Sequence, residues 1–407
     1  MGYMGDAIKG VTWIGFSRAV IRAFSVVRAA IIARILSPSN VGVFGITTIV
    51  LSLTEILTET GVNIFLIQQH ENIDEYIDSA WVVSIIRGFL IGAVIFISAP
   101  FVAGFYNSSE AESLLRLVSI VPLLRGFINP SVVKFTKDLR FNTEFIYRSS
   151  QFLVESIVSI VLVVIFKNTA SLVWGLIAGA VYELCFTFVT ARPIPRFVFH
   201  RQYLKEIRQS GKWLTATGIF NYLYHNGDNL VVGKMLGTGP LGFYDMAYKF
   251  SMLPITEVSD VYTKVTFPVF VKIAGDRSRL RRAFLRSVGV VALLVIPAGV
   301  ILAVFSEPIV TIILGAKWVG MIPALRVLSI FGAIRAIAMS AVSPVYALKK
   351  QEMITVITFV SLFGLAVTIV PFIQWWGLPG AGASALTGTL LCLPFVFAYL
   401  RKLLWKE

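Results

Sequence analysis

The chain is short of charge. Only 14% of its 407 residues are Asp, Glu, Lys or Arg, against about a quarter in soluble domains, which excludes an ordinary water-surrounded globule. Cysteine is nearly absent. The two that occur, Cys185 and Cys392, lie inside apolar runs, so neither a disulfide framework nor a metal or cofactor site is expected. No G-x-x-x-x-G-K-[ST], H-E-x-x-H or G-x-S-x-G occurs, which argues against nucleotide hydrolysis and the common hydrolase centres. No break between apolar runs is much longer than about twenty residues, too short for a catalytic domain. The reading is not an enzyme. Acid is scarcer than base, 22 against 36 residues. In a soluble protein that excess would suggest nucleic acid. In a chain this apolar it marks cytoplasmic loops instead. The first residues, MGYMGDAIKGVTW, show no signal-peptide pattern, and Asp6 stands where a myristoylation signal wants Ser or Thr.

What is abundant is apolar sequence, 57% of the chain. A helix crosses the hydrocarbon core with about 20 mostly apolar residues. Twelve such runs begin near residues 10, 41, 78, 111, 143, 171, 210, 240, 284, 319, 351 and 378. The first, second, seventh and eighth are unusually polar, so a plain hydropathy window is liable to drop one. Lys and Arg alternate between the loops. Arg192, Arg196, Arg201, Lys205, Arg208 and Lys212 follow the sixth run, and Lys272, Arg277, Arg279, Arg281, Arg282 and Arg286 follow the eighth. The loops between, such as SPSN at 37 and GTGP at 237, are nearly bare of basic charge. Both termini are therefore expected in the cytoplasm. The acidic HENIDEYID from His70 dissents, although acids weigh little in this rule.

The two halves resemble each other. A shift of 200 places Trp13 on Trp213, Leu36 on Leu236 and Gly42 on Gly242; a shift of 210 lays LRLVSI at Leu115 over LRVLSI at Leu325, and Arg125 on Arg335. Six spans per half is an even number, so the repeats run parallel about an axis along the membrane normal. The expected fold is an all-α membrane protein of about 12 transmembrane helices in two six-helix lobes, residues 1–205 and 206–407, around a central cavity.

A charge at the bilayer centre costs roughly 2.5–3.5 kcal/mol even on insertion scales, so each one inside a span asks for a partner or a wet cavity. Arg18, Arg22, Arg28 and Arg34 lie in the first span; Arg18 and Arg22 stand one turn apart and need something negative opposite. The second span bears Glu55 and Glu59 on one polar face with Thr48, Ser52 and Asn63. The eighth carries Asp245, Lys249, Glu257, Asp260 and Lys264, and the seventh His225 and Asp228. Buried salt bridges and nothing more is an equally good account of any one of these. For the set it is weaker. Glu155 and Glu183 look isolated on apolar spans, and His225 reads as a satisfied hydrogen bond.

ILSPSNVGVFGITTIVLSLTEILTETGVNIFLIQQ from Ile35, HNGDNLVVGKMLGTGPLGFYDMAYKFSMLP from His225 and FPVFVKIAGDRSRLRRAFLRSV from Phe267 resemble the Wzx-type polysaccharide flippases. Nearest in pattern are exporters serving colanic-acid-like and teichuronic-acid-like polymers, within the multidrug/oligosaccharidyl-lipid/polysaccharide superfamily. Asp228-Asn229, Gly233, Gly237, Gly242 and Tyr244 match best, over about residues 5 to 400. The resemblance implies a plasma-membrane flippase that moves an isoprenoid-pyrophosphate-linked oligosaccharide outward by alternating access. Its partners would be that lipid-linked oligosaccharide, membrane lipids and polysaccharide polymerase machinery, with no nucleic acid. Arg18, Arg22, Arg28, Arg125, Arg335 and Lys249 are the candidates for pyrophosphate and sugar. Glu55, Glu59, Asp228, Asp245 and Asp260 are candidates for coupling to H+ or Na+, or for salt bridges. The alternative is a cation-coupled multidrug exporter of the same superfamily, whose cavity would want an acidic rather than an arginine-bearing lining.

Overall fold

A computed structural model describes residues 21, 22, 24–58, 62, 66, 67, 73–138, 140–198, 201–350 and 352–405, with the side chains of 141, 201–217, 254, 257, 260, 261, 264 and 405 left out. Among the described residues there is no strand. The helices are α1 (21–22 and 24–35), α2 (Pro38–Leu57), α3 (Asp74–Tyr106), α4 (Ser109–Val118), α5 (Ile120–Gly126), α6 (Val133–Lys137), α7 (Phe141–Phe166), α8 (Ala170–Thr190), α9 (Arg201–Leu236), α10 (Thr238–Lys272), α11 (Arg277–Val304), α12 (Ser306–Ile313), α13 (Ile322–Met339), α14 (Val342–Ala347), α15 (Glu352–Trp376) and α16 (Leu378–Trp405). The chain divides into two compact units, Met1–Tyr222 and Leu223–Glu407. That division falls inside α9, beyond the point between 205 and 206 read from the sequence.

Among the described residues, eight stretches are long and apolar enough to cross a membrane: α2, α3, α7, α8, α11, the stretch Ala316–Ala347 that contains α13, α15 and α16. Four of the twelve expected spans are not among them, each for a physical reason. The first begins in residues outside those described. The seventh and eighth are α9 and α10, 36 and 35 residues long, whose polar residues, Asn221, His225, Asn226, Asp228 and Asn229 on α9 and Asp245 and Lys249 on α10 among them, leave them too little apolar. The fourth is broken into α4 and α5 at Ser119. Pro122 has no N–H to offer the Val118 carbonyl, so the ladder fails there. At the shift of 210 the second half has Gly332 instead, and α13 runs unbroken over 18 residues.

Local sequence sets the ends. Ser37 caps α2: its Oγ accepts from Asn40 N at 3.2 Å, and the Asn40 side chain accepts from Ser37 N in return, with Pro38 in the first turn. Asn40 then donates to Thr169 Oγ1 at 2.9 Å, which donates to Glu110 at 2.6 Å, joining the starts of α2, α4 and α8. Asp276 caps α11 through Arg279 N at 2.9 Å.

Lipid supplies little hydrophobic drive between helices, so close backbone approach matters. A Cβ on Gly88 of α3 would lie 2.5 Å from the Pro122 carbonyl of α5, and one on Gly364 of α15 would lie 2.9 Å from Gly388 Cα of α16. The outward faces of α3, α7, α11 and α15 carry exposed Phe, Leu, Ile and Val, as lipid-facing helices do. The protein is an all-α, multi-pass membrane protein.

Candidate functional site

The unit spanning Met1–Tyr222 buries a connected set of charges. Arg125, near the end of α5, donates to Glu55 Oε1 of α2 at 2.9 Å, and its Nε stands 3.8 Å from Glu183 Oε2 of α8. Glu183 is buried and accepts from the Tyr147 hydroxyl of α7. Arg87 of α3 donates to the Glu55 carbonyl at 2.6 Å and to Thr58 Oγ1 at 3.4 Å, holding the C-terminal turn of α2. One step along, Arg28 of α1 meets Glu155 Oε1 of α7 at 2.8 Å, with Ser156 and Ser159 each at 3.3 Å. Ser159, four residues on, shares the helix face of Glu155, and Ser156 stands about 100° round from it. Arg28 and Arg125 face carboxylates here, and Arg87 brings the arginines to three against three glutamates. The cluster is nearly neutral and joins six helices.

The unit from Leu223 onward solves the same problem differently. Arg335 of α13 is 8% exposed. Its NH1 donates to Tyr248 Oη of α10 and its NH2 to His225 Nε2 of α9, both at 2.8 Å. An arginine can only donate, so this His225 nitrogen is the acceptor. The guanidinium also lies 4.8 Å from the Tyr224 ring centre and 5.6 Å from that of Phe331, within cation–π range. Among the described residues no carboxylate is within ion-pair distance of it. Asp228, one turn from His225 along α9, is 2% exposed. It accepts from Tyr244 Oη at 2.7 Å and from Asn229 N at 2.9 Å. The Asn229 Oδ1 beside it is buried and has no hydrogen-bond partner. Asp245 and Lys249 pair with each other at 2.6 Å on the outside of α10, with the lysine 59% exposed.

Among the residues singled out from the sequence, Arg28, Glu55 and Arg125 thus come into one region and Asp228 and Arg335 into another. Lys249 and Asp245 form a separate i,i+4 pair. Arg22 lies half-buried on α1. Arg18, Glu59 and the Asp260 side chain lie outside the described residues. Glu155 and Glu183, set aside as isolated, are instead the carboxylates that hold Arg28 and lie against Arg125. Each is the carboxylate that its helix, α7 or α8, turns toward an arginine. The signal was there: a carboxylate in an apolar span must be matched by something. Arg87, a charge inside an apolar run, carried the same signal and was not singled out, whereas Tyr147 and Tyr248 had none, since tyrosine is unremarkable in such a run.

The profile of the family described as Polysaccharide biosynthesis protein matches residues 31–323. The chain belongs to that family. It is 24% identical over 340 residues to the teichuronic acid biosynthesis protein TuaB of Bacillus subtilis, covering 81% of this chain and 68% of that one. It is 25% identical over 339 residues to the lipopolysaccharide biosynthesis protein WzxC of Escherichia coli, covering 83% and 69%. Among solved structures, the lipid II flippase MurJ in an inward closed conformation matches at a TM-score of 0.79 and 13% identity, over 95% of this chain and 87% of that one. An inward-facing multidrug resistance transporter of the MATE family matches at 0.72 and 16%, over 95% and 97%. The last two likenesses are of fold. For a member of the polysaccharide biosynthesis family, the residues in question are arginines inside helices that cross a membrane, where each is costly to keep.

Proposed function

We propose that this chain is a flippase that moves an isoprenoid-pyrophosphate-linked oligosaccharide repeat unit from the cytoplasmic to the outer leaflet of the plasma membrane, for cell-envelope polysaccharide assembly. The observation that carries the reading is Arg335, a buried guanidinium that only neutral groups and rings contact. A pyrophosphate cannot enter hydrocarbon unaided, and the planar fork of arginine binds phosphate oxygens in pairs. Two of the five N–H donors of Arg335 are engaged in the hydrogen bonds described. The rest suit an anion.

Arg125 and Arg28 would work by exchange, giving up Glu55 and Glu155 for substrate phosphate as the transporter changes state. Arg18 and Arg22 complete the set on sequence grounds, and neutralising both should abolish export while leaving the protein inserted. With the cell interior negative, each negative charge moved outward is favoured by about 2.3 kcal/mol per 100 mV. Coupling to H+ or Na+ is therefore allowed rather than required. Asp228, beside the unpartnered Asn229 oxygen, is the place we assign to such an ion. Twelve spans, both termini cytoplasmic and two six-helix lobes of parallel repeat belong to the same proposal.

The test is a leaflet-resolved assay of lipid-linked oligosaccharide in cells lacking the protein. Accumulation on the cytoplasmic face, relieved by restoring the wild-type chain but not Arg335→Gln, is the expected result. A normal distribution in the absence of the protein and of any other flippase would turn the reading toward the multidrug exporter.

A further inference from the structure

Five helices of the second unit meet around one apolar core. Phe270 of α10, Leu280 and Phe284 of α11, Val345 of α14, Met353 of α15 and Leu400 of α16 pack together there. Arg277 NH1 donates to the Leu403 carbonyl at 2.5 Å, tying the start of α11 to the end of α16. Around this core stand Lys272, Arg277, Arg279, Arg281, Arg282, Arg286, Lys349, Lys350, Arg401 and Lys402, against two acids, Asp276 and Glu352, among the described residues. Asp276 is occupied in capping α11. The basic loops of the first unit differ: Lys134 pairs with Asp74 at 2.5 Å, Arg140 with Asp138 at 3.7 Å, and Asp78 accepts from Arg196 N at 2.7 Å.

The arginines of α11 sort by angle. At 100° per residue, Arg277 and Arg281 fall on the side that meets α16. Arg279, Arg282 and Arg286 fall on the opposite side, within an arc of about 60°. All three are exposed, and none has an ion-pair partner among the described residues. Arg282 alone makes contacts, at 3.4 Å to the Ser278 carbonyl and hydroxyl. The same line continues into Val290 and Leu293, 58% and 73% exposed, and on to Val300. About 10 Å of arginine is thus followed by about 15 Å of bare apolar surface at 1.5 Å per residue. A charged end and an apolar length in one line have the shape of a phospholipid. An acidic soluble partner would use the first and leave the second uncovered.

We propose that this outer face of α11 is a binding site for an anionic phospholipid, with the headgroup phosphate on Arg279, Arg282 and Arg286 and an acyl chain along Val290 and Leu293. By the orientation proposed above, the lipid belongs to the cytoplasmic leaflet. The inference does not depend on what the protein transports. The site steadies the unit against the bilayer at the end richest in cations.

The test uses the full chain in nanodiscs of equal parts phosphatidylcholine and phosphatidylglycerol, followed by native mass spectrometry of retained lipid. Phosphatidylglycerol should be enriched on the wild-type protein. The combined Arg279→Gln, Arg282→Gln and Arg286→Gln variant should lower that enrichment by about tenfold or more, from roughly fivefold per arginine at an anionic surface. Lysine at the same three positions should retain most of it and keeps the charges that orient the helix. Should the glutamine variant fail to insert, raising the salt should weaken the enrichment on the wild-type chain alone. Equal retention of both lipids by the wild type would overturn the site. So would inorganic phosphate competing as strongly as phosphatidylglycerol, since the apolar stripe would then contribute nothing.

Discussion

Arg125 and Arg335 occupy matching places in the two repeats, yet they are kept by different means. In the first unit the guanidinium faces carboxylates, Glu55 at 2.9 Å and Glu183 at 3.8 Å. In the second it rests on a phenol, an imidazole and two rings. At shifts of 200 and 210, Glu55, Glu155 and Glu183 correspond to Ile255, Leu365 and Leu393. The second repeat therefore has no carboxylates at those places, and Arg335 is stabilised through cation–π contact and neutral acceptors. A neutral cluster locks helices together. A guanidinium held by neutral groups, with donors beyond those they use, attracts an anion. The first unit holds Arg125 on carboxylates, and the second holds Arg335 on neutral acceptors and rings.

That contrast can be broken first at Arg28. Glu155→Leu leaves a guanidinium with 14% side-chain exposure facing apolar surface, and losing one partner of a buried pair costs about 3–5 kcal/mol. A large fall in the melting temperature of the purified protein is expected. Arg28→Met combined with Glu155→Leu should recover most of it, as apolar replacement of both partners often does. If the single and double variants melt alike, the pair is not what holds α1 to α7.

Arg335→Gln should move stability less, by about 1–2 kcal/mol for the hydrogen bonds to Tyr248 and His225. Export should fall far more than folded protein does, by at least about tenfold if a charge-assisted contact to the substrate is lost. Asp228→Asn preserves shape but leaves one acceptor oxygen for the two donors that Tyr244 and the Asn229 backbone supply. A loss of about 1–2 kcal/mol is expected. The smallest effect belongs to Asp245 and Lys249. Their exposed i,i+4 pair is worth about 0.5 kcal/mol or less, so Lys249→Ala should melt and export nearly as the wild type. A strong export defect there would place substrate contact on α10 instead.

Much of this architecture is visible in the sequence, and the remainder is hidden for definite reasons. The helical class follows from apolar run length, and the need of Arg28 and Arg125 for partners from the cost of intramembrane charge. The partners do not. Glu155 lies 127 residues from Arg28 and Glu183 lies 58 from Arg125 by subtraction, and no periodicity links such distances. Pro122 breaking the fourth span is legible once proline is taken seriously inside an apolar run. The tyrosines around Asp228 and Arg335 are not, because their hydroxyls become informative only when the helices are packed.

The most direct measurement is transport by the purified chain in proteoliposomes carrying a fluorescent isoprenoid-pyrophosphate oligosaccharide in both leaflets, with leaflet-selective quenching over time. Wild type should move lipid between leaflets at a rate that Arg335→Gln lowers and Lys249→Ala leaves unchanged. Quenching kinetics identical to those of protein-free vesicles, from folded and correctly inserted protein, would contradict the assignment of this chain as a flippase.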